Sequence, residues 1–286
     1  MDISQFLVKP DSSVKLKDYK TNDTGGYRSK EDAEKKLADN IAKMDDLQAK
    51  LFAQDKYSLL LVFQAMDGGG KDSAIKHVMT GLNPQGTQVF SFKQPSKEEL
   101  DHGYLWRISK ALPEKGRIGI FNRSHYEEVL IVRVHDLVKS ERLPDWVLKD
   151  NIWKMRFRQI NDFERYLFEI GTYIIKFFLN ISKDEQKKRF FKRIEDPAKN
   201  WKITEEDIAE REYWDDYQKC YEEAISKTST DYAPWYIIPG DRKWFAHLAI
   251  SEVIVKTMDS MDISFPKVKG KQLEALGRLK DKLSEE

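Results

Sequence analysis

Cysteine is almost missing from these 286 residues: Cys220 stands alone. An internal disulfide is therefore excluded, and a reducing compartment fits. No apolar run approaches the roughly 18 residues of a membrane span. The opening MDISQFLVKPDSSVKLKDYK lacks the apolar segment of a signal peptide. A cytoplasmic location with no membrane partner is the expectation. Net charge is also scarce, since 49 Lys and Arg against 48 Asp and Glu leave +1, so any anion site must come from local clustering. Internal repeats and low-complexity tracts are absent. What is there, 40% apolar and 34% charged residues, describes a helix-rich globular chain large enough for a self-sufficient core.

Five short segments read as strands: SLLLVFQ at 58–64, TQVFSF at 87–92, IGIFN at 118–122, TYIIKFFLN at 172–180 and WYII at 235–238. Those that look buried are continuously apolar instead of alternating, which suits parallel strands covered on both faces. Helical stretches separate them, announced by Ser96-x-x-Glu99, Ser182-x-x-Glu185 and Thr204-x-x-Asp207, each a capping-box-like start. The βα alternation predicts an α/β fold with a doubly wound, mostly parallel five-stranded sheet flanked by helices. Nothing marks a second domain, so 1–286 is expected to form one. Residues 1–55 form an N-terminal extension whose Leu37, Ile41, Met44, Leu47 and Leu51, behind a Ser29 cap, predict one helix packed on the core. Residues 262–286 form the C-terminal tail, whose GKQLEALGRLKDKLSEE end reads as a charged surface helix.

The first strand leads into AMDGGGKDS and a helix-compatible stretch. Strand, glycine turn and helix together make a phosphate cradle from main-chain N–H groups, and a lysine after the last glycine reaches terminal phosphates. The match to G-x-x-x-x-G-K-[ST] is partial: the first glycine is Ala65, and Asp72 precedes Ser73. Asp67 and Asp72 add carboxylates where magnesium would be needed beside a phosphate. A solvated turn is the bland alternative. In an open parallel sheet ligands sit beyond the carboxyl ends of strands, which directs attention to Asn122, Arg123, Ser124, His125, Tyr126, Glu127 and Glu128 after the third strand. Arg123 is suited to clamp a phosphate bidentately, with Arg133 ten residues on. Here the bland reading is a polar helix start capped by Ser124. After the fourth strand comes the densest basic segment, with Lys187, Lys188, Arg189, Lys192, Arg193, Lys199 and Lys202 within sixteen residues. Arg189 and Arg193 share one helix face. Asp196-Pro197 and Trp201 favour a mobile lid over 182–215 rather than only a solvated face.

FQAMDGGGKD, KHVMTGLNPQG, DHGYLWRISKALP, GRIGIFNRSHYEEVLIVRV, FFLNISKDEQKKRF and TSTDYAPWYIIP occur in that order between about Ser58 and Met261, and together they resemble the family-2 polyphosphate kinases. The resemblance implies a P-loop-kinase-like sheet, a helical lid, Mg2+ dependence, a homo-oligomer, and phosphoryl exchange between inorganic polyphosphate and nucleotides such as ADP, AMP, GDP and ATP. Carried onto this chain, it implies that Asp67 holds magnesium, with Asn122 and Glu127 as further donors. Gly68, Gly69, Gly70, Lys71, Asp72 and Ser73 would bind phosphate, joined by Arg133, Lys188 and Lys202. Arg123, Arg189 and Arg193 would neutralise charge on the moving group. Many members of the family carry aspartate where Asn122 stands, and the neutral amide shifts metal binding onto Asp67. The NRSHYE, GLNPQG and HGYLWR forms resemble the subgroup that accepts both monophosphates and diphosphates. Asn83, Trp106, Arg107 and Arg117 are the candidates for meeting the nucleotide, beside Asn122 and Arg123.

Two other classes share these residues. A nucleotide kinase using ATP as donor would keep the loop and the lid arginines, whereas a polyanion- or RNA-binding protein would use the basic segment through counterion release. Ala65 and Asp72 weigh against the first. No nucleic-acid partner is expected.

Overall fold

The computed structural model describes residues 1–149 and 151–286. Its centre is the strand Ser58–Gln64, in which all seven residues are buried. Side chains alternate across a strand, so Leu59, Leu61 and Phe63 enter one apolar layer while Leu60 and Val62 enter the other. A run apolar at every position is what such double burial demands.

Six strands form the sheet: β1 (Leu7–Val8), β2 (Ser58–Gln64), β3 (Thr87–Ser91), β4 (Ile118–Asn122), β5 (Thr172–Asn180) and β6 (Trp235–Pro239), in the order β1-β6-β5-β2-β4-β3. Neighbours are parallel except β1, which runs antiparallel to β6 with Leu7 opposite Tyr236. Leu61 lies between Ile120 of β4 and Ile175 of β5, fixing the register at the centre. The five expected strands are all present within one residue at each end. The sixth corrects the sequence reading: two residues carry no periodicity, and β1 exists only because β6 offers it an edge. Ser229 secures the join, its Oγ donating to Val8 O at 2.6 Å and accepting from Trp235 N at 3.0 Å.

The helices are α1 (Lys30–Gln54), α2 (Lys71–Val78), α3 (Lys97–Leu100), α4 (Leu105–Lys110), α5 (Ile131–Val134), α6 (Asp145–Lys149), α7 (Ile152–Glu169), α8 (Lys183–Glu195), α9 (Glu205–Ala209), α10 (Trp214–Thr228), α11 (Lys243–Ser260) and α12 (Lys271–Ser284). On one face of the sheet α1 brings Met44, Leu47 and Leu51, each burial being worth about 2 kcal/mol. With them lie α2 and α11, the latter buried on every side from Phe245 to Val255. On the other face α4, α7 and α10 supply Ile108, Phe157, Ile160, Tyr221 and Ile225. Ser29 caps α1 as its position predicts, accepting from Asp32 N, and complete capping boxes start α3 at Ser96 and α9 at Thr204. The extension does more than lay a helix on the core, because Phe6 and Val8 are themselves buried in it. In contrast, α12 buries no residue. Among the described residues no helix is long and apolar enough to cross a membrane.

Candidate active site

Beyond β2 the chain turns sharply at Ala65–Gly70 before α2 begins at Lys71. Gly68 and Gly70 have φ of +73° and +99°, where a side chain is strained. Gly69 is required for a different reason, since a Cβ there would stand 2.4 Å from Ala65 Cβ and 2.7 Å from Met66 O. The loop is backed by α8. Gln186 Nε2 donates to Asp67 O at 2.8 Å, while Arg189 Nη1 donates to Gly68 O and Gly69 O at 3.0 Å each. A trans peptide directs its N–H opposite to its carbonyl, so the Gly68 and Gly70 amides face away from α8, toward the mouth of the site.

Lys71 is buried and donates to Ala65 O at 2.9 Å. Burial lowers its pKa from the ordinary lysine value, against the pull of Asp67, Glu127 and Asp72. On the adjoining strand Asn122 Nδ2 donates to Asp72 Oδ1 at 2.7 Å. The next residue, Arg123, holds φ at +63° and still forms two bonds: its amide to Phe63 O at 3.1 Å and its guanidinium to Asp67 Oδ1 at 2.9 Å. A non-glycine residue kept in that conformation stores strain at the point where the two strand ends meet. Burial of Arg123 works against its charge, but Glu127 and Asp67 outweigh it and raise the pKa. Glu127 itself is raised chiefly by burial, against the pull of Arg123 and Lys71. Asp67, Lys71, Asp72, Asn122, Arg123 and Glu127 thus form one cluster at the carboxyl ends of β2 and β4.

The other expected residues lie differently. Ser73, two positions and about 200° round α2 from Lys71, turns toward α11, where its Oγ lies 3.3 Å from His247 Nε2. It is a helix-packing contact, not part of the loop mouth. Burial, with His77, Lys243 and Arg189 nearby, holds His247 down at about 4. Asn83 and Arg117 are displaced further. Asn83 bonds Gln48 before β3 begins, and Arg117 precedes β4 with its guanidinium over Phe52. Both therefore sit at the amino edge of the sheet, about 15 Å of strand away from the glycine loop. At the correct edge, Trp106 is engaged by the stacked ring of His102 at 4.1 Å and by Lys110 Nζ at 4.2 Å. Arg107 donates to Lys93 O at 2.8 Å and covers Phe92. Arg133 is paired with Glu223 of α10 at 2.6 Å.

The expected lid divides in two. Helix α8 is docked, with Gln186, Arg189 and Phe190 buried. The Arg189 guanidinium also donates to Gly240 O and Asp241 O, at 2.6 and 3.3 Å, so it clasps the back of the loop instead of projecting into solvent. Arg193 donates to Lys202 O at 3.1 Å, Lys202 extends over Trp201, and Lys188 is exposed. Residues 200–213, in contrast, bury no side chain.

Sequence reasoning passed over several contributors. Tyr221 of α10 is 4% exposed and faces Glu127, Asp67 and Arg123. Gln64 donates to Ser124 Oγ at 3.3 Å and also bonds Glu127. Below the His125–Val129 turn, Lys176 of β5 donates to Glu164 Oε2 at 2.5 Å, Thr228 O at 2.7 Å and Tyr126 OH at 2.9 Å, using all three ammonium hydrogens. His125 Nε2 completes the group 3.3 Å from Glu164 Oε1. Lys176 was legible as a lone charge inside an apolar strand, whereas Tyr221 lies about 150 residues from the glycine loop and gives no local signal.

The polyphosphate kinase 2 family model matches residues 27–266. The chain is 47% identical to an ADP-polyphosphate phosphotransferase of Rhodopseudomonas palustris, covering 98% of this chain and 97% of that protein. It is 42% identical to an AMP/ADP-polyphosphate phosphotransferase of Meiothermus ruber, over 92% and 96% respectively. The crystal structure of polyphosphate kinase 2 from Arthrobacter aurescens superposes with a TM-score of 0.86 at 40% identity, covering 94% of each chain. A glycine turn clasped from behind, a buried lysine at its end and an arginine–aspartate pair across two strand ends are thus carried on a chain that belongs to the polyphosphate kinase 2 family.

Proposed function

We propose that this protein moves the terminal phosphoryl group between inorganic polyphosphate and nucleoside mono- or diphosphates by direct in-line transfer, converting ADP or GDP to the triphosphate and AMP to ADP. The observation that carries the reading is the convergence of Lys71, Arg123 and the Asp67 carboxylate on the inward-facing amides of the glycine loop. Phosphoryl transfer asks mainly for position and compensating charge, not a protein nucleophile. The Gly68 and Gly70 amides and the Lys71 ammonium hold donor phosphate oxygens. Arg123, released from Asp67 in part, offers its fork to the phosphoryl group in flight. An acceptor phosphate is already ionised at neutral pH and needs no base.

The donor set fits magnesium. Asp67 engages Arg123 through Oδ1, and Asn122 engages Asp72 through its amide nitrogen, which leaves amide oxygen available. Among the described residues no three His, Cys, Asp or Glu side chains are grouped to hold a metal. One or two carboxylates with an amide oxygen, completed by water and substrate phosphates, are the usual surroundings of Mg2+. When bound, the ion would neutralise phosphate charge beside Asp67. The 200–213 segment serves as the lid that excludes water, with the docked α8 as its fixed base.

The test is an assay of ADP, AMP and GDP, each with magnesium and long-chain polyphosphate, followed by triphosphate or diphosphate formation. Turnover with polyphosphate is expected, falling on the order of 1,000-fold in Asp67→Asn while the fold is kept. Polyphosphate inert in both directions, with ATP serving instead as donor to AMP, would overturn the reading. Polyanion binding that persists without magnesium and is unaffected by Asp67→Asn, with no turnover, would reduce the protein to a binder.

A further inference from the structure

Gln186 is 2% exposed, uncharged, and bonded at both ends of its carboxamide. Its Nε2 donates to the carbonyl of Asp67 at 2.8 Å. Its Oε1 accepts from Arg211 Nη1, and the same nitrogen also reaches Lys183 O at 3.3 Å. Arg211 belongs to the turn Glu210–Tyr213, at the end of the segment that buries no side chain. The adjacent Glu210 lies 2.9 Å from His135 Nε2 and accepts from Tyr217 OH at 2.8 Å.

One rigid amide therefore joins the loosely held segment to the backbone of the residue whose carboxylate pairs with Arg123. Rotating that amide to suit one partner deprives the other, because its donor and acceptor lie in one plane on fixed atoms. A buried amide left half-bonded is costly, so the bond to Arg211 and the bond to Asp67 O support each other. The Gly68 side of the loop leaves no slack: a Cβ there would meet Phe190 at 2.9 Å and Gln186 Cγ at 3.4 Å.

We propose that Gln186 is a positioning residue through which docking of the 200–213 segment, reported by Arg211, sets the placement of Asp67. The proposal rests on the phosphotransfer reading for its kinetic consequence. With Arg211 docked the carboxamide is pinned and the Asp67 peptide is held. With Arg211 withdrawn the amide turns freely and the carboxylate loosens, so the site is complete only under a seated segment.

The test uses the full chain with Gln186→Leu, Arg211→Met, their combination and Arg211→Lys. Gln186→Leu and Arg211→Met are each expected to lower kcat about 10- to 30-fold, leaving the nucleotide KM within about twofold, since misplacement by a fraction of an ångström is felt in the transition state. The double variant should be no slower than Gln186→Leu alone, and Arg211→Lys should keep most of the rate. A second readout is hydrogen exchange of the 66–70 amides, which Arg211→Met should accelerate whether or not substrate is present. Rate losses that multiply, or an Arg211→Met protein with unchanged kcat and unchanged loop exchange, would overturn the proposal. Should Gln186→Leu fail to fold, Arg211→Met decides alone, its side chain lying on a partly exposed turn. A wild-type protein inert toward polyphosphate defeats the functional reading, while the exchange measurement still decides the coupling.

Discussion

Two groups of charge flank the turn His125–Val129, and they are built on opposite terms. Below it, Lys176 and Glu164 are 0% exposed, and every ammonium hydrogen has an acceptor. Burial alone would raise Glu164, but Lys176 and His125 outweigh it and the carboxyl is held below its ordinary value. Above the turn, Glu127 is raised because burial wins over Arg123 and Lys71, and among the described residues the Lys71 ammonium makes its one hydrogen bond to Ala65 O. The Lys176 ammonium in the lower group is fully bonded, although the neighbouring His125 keeps Nδ1 buried without a hydrogen-bond partner among the described residues, and a satisfied buried pair rigidifies the turn that carries Arg123 and Glu127. Under the proposed function, a polyanion and a cation would supply the partners that the upper group lacks. Incomplete satisfaction in a strained setting distinguishes a site from a support.

Breaking the support should cost the most stability. Lys176→Met leaves Glu164 buried without its cation and is expected to destabilise the protein by about 3–5 kcal/mol in urea unfolding. Pairing it with Glu164→Leu should recover most of that loss. If Lys176→Met unfolds like the wild type, the pair is not a support. Lys71→Met is the mirror image: stability within about 1 kcal/mol, because a lysine with a lowered pKa is not a strong anchor, but a rate lower by at least about 100-fold. Equal damage to fold and rate in that variant would erase the distinction.

Acid separates the two groups more finely. Glu164, depressed in the fold, contributes stability that is complete above its ordinary value of 4.5 and is lost as pH falls through the lower folded value. Glu127 runs the other way: with its folded pKa above 4.5, its ionisation costs stability, and protonation on acidification relieves that cost while removing a charge from the site. Activity should therefore decline at a higher pH than the unfolding midpoint. Coincident loss of rate and of tryptophan fluorescence in an acid titration would contradict this order.

The contrast also marks what could be read from the chain alone. Asp67, Lys71 and Arg123 could be expected near one another because strand ends in a parallel sheet converge on one edge, and a glycine turn marks one such edge. Ser73, Asn83 and Arg117 lie apart from that cluster for reasons of direction. Ser73 is on the side of α2 that turns toward α11, and α2 then carries the chain back to the far edge, where Asn83 lies. Arg189 was legible as a basic residue in the correct region, but not as a clasp, because its partners are carbonyls of Gly68, Gly69, Gly240 and Asp241, and every residue has a carbonyl. The two-residue β1 is too short to show any period.

Local physics written into the sequence determined the strands, the helix caps, the glycine turn and the lysine that follows it, since each depends on residues a few positions apart. Only the tertiary structure decided which polar groups find partners: Lys176 with Glu164, Arg189 with the back of the loop, and Gln186 shared between Asp67 and Arg211. Those pairings join residues from 25 to 121 positions apart, apart from the twelve between Glu164 and Lys176. Such partners meet only when two packed helical layers and a sheet bring them together, and burial then makes each unmet bond costly enough to fix the arrangement.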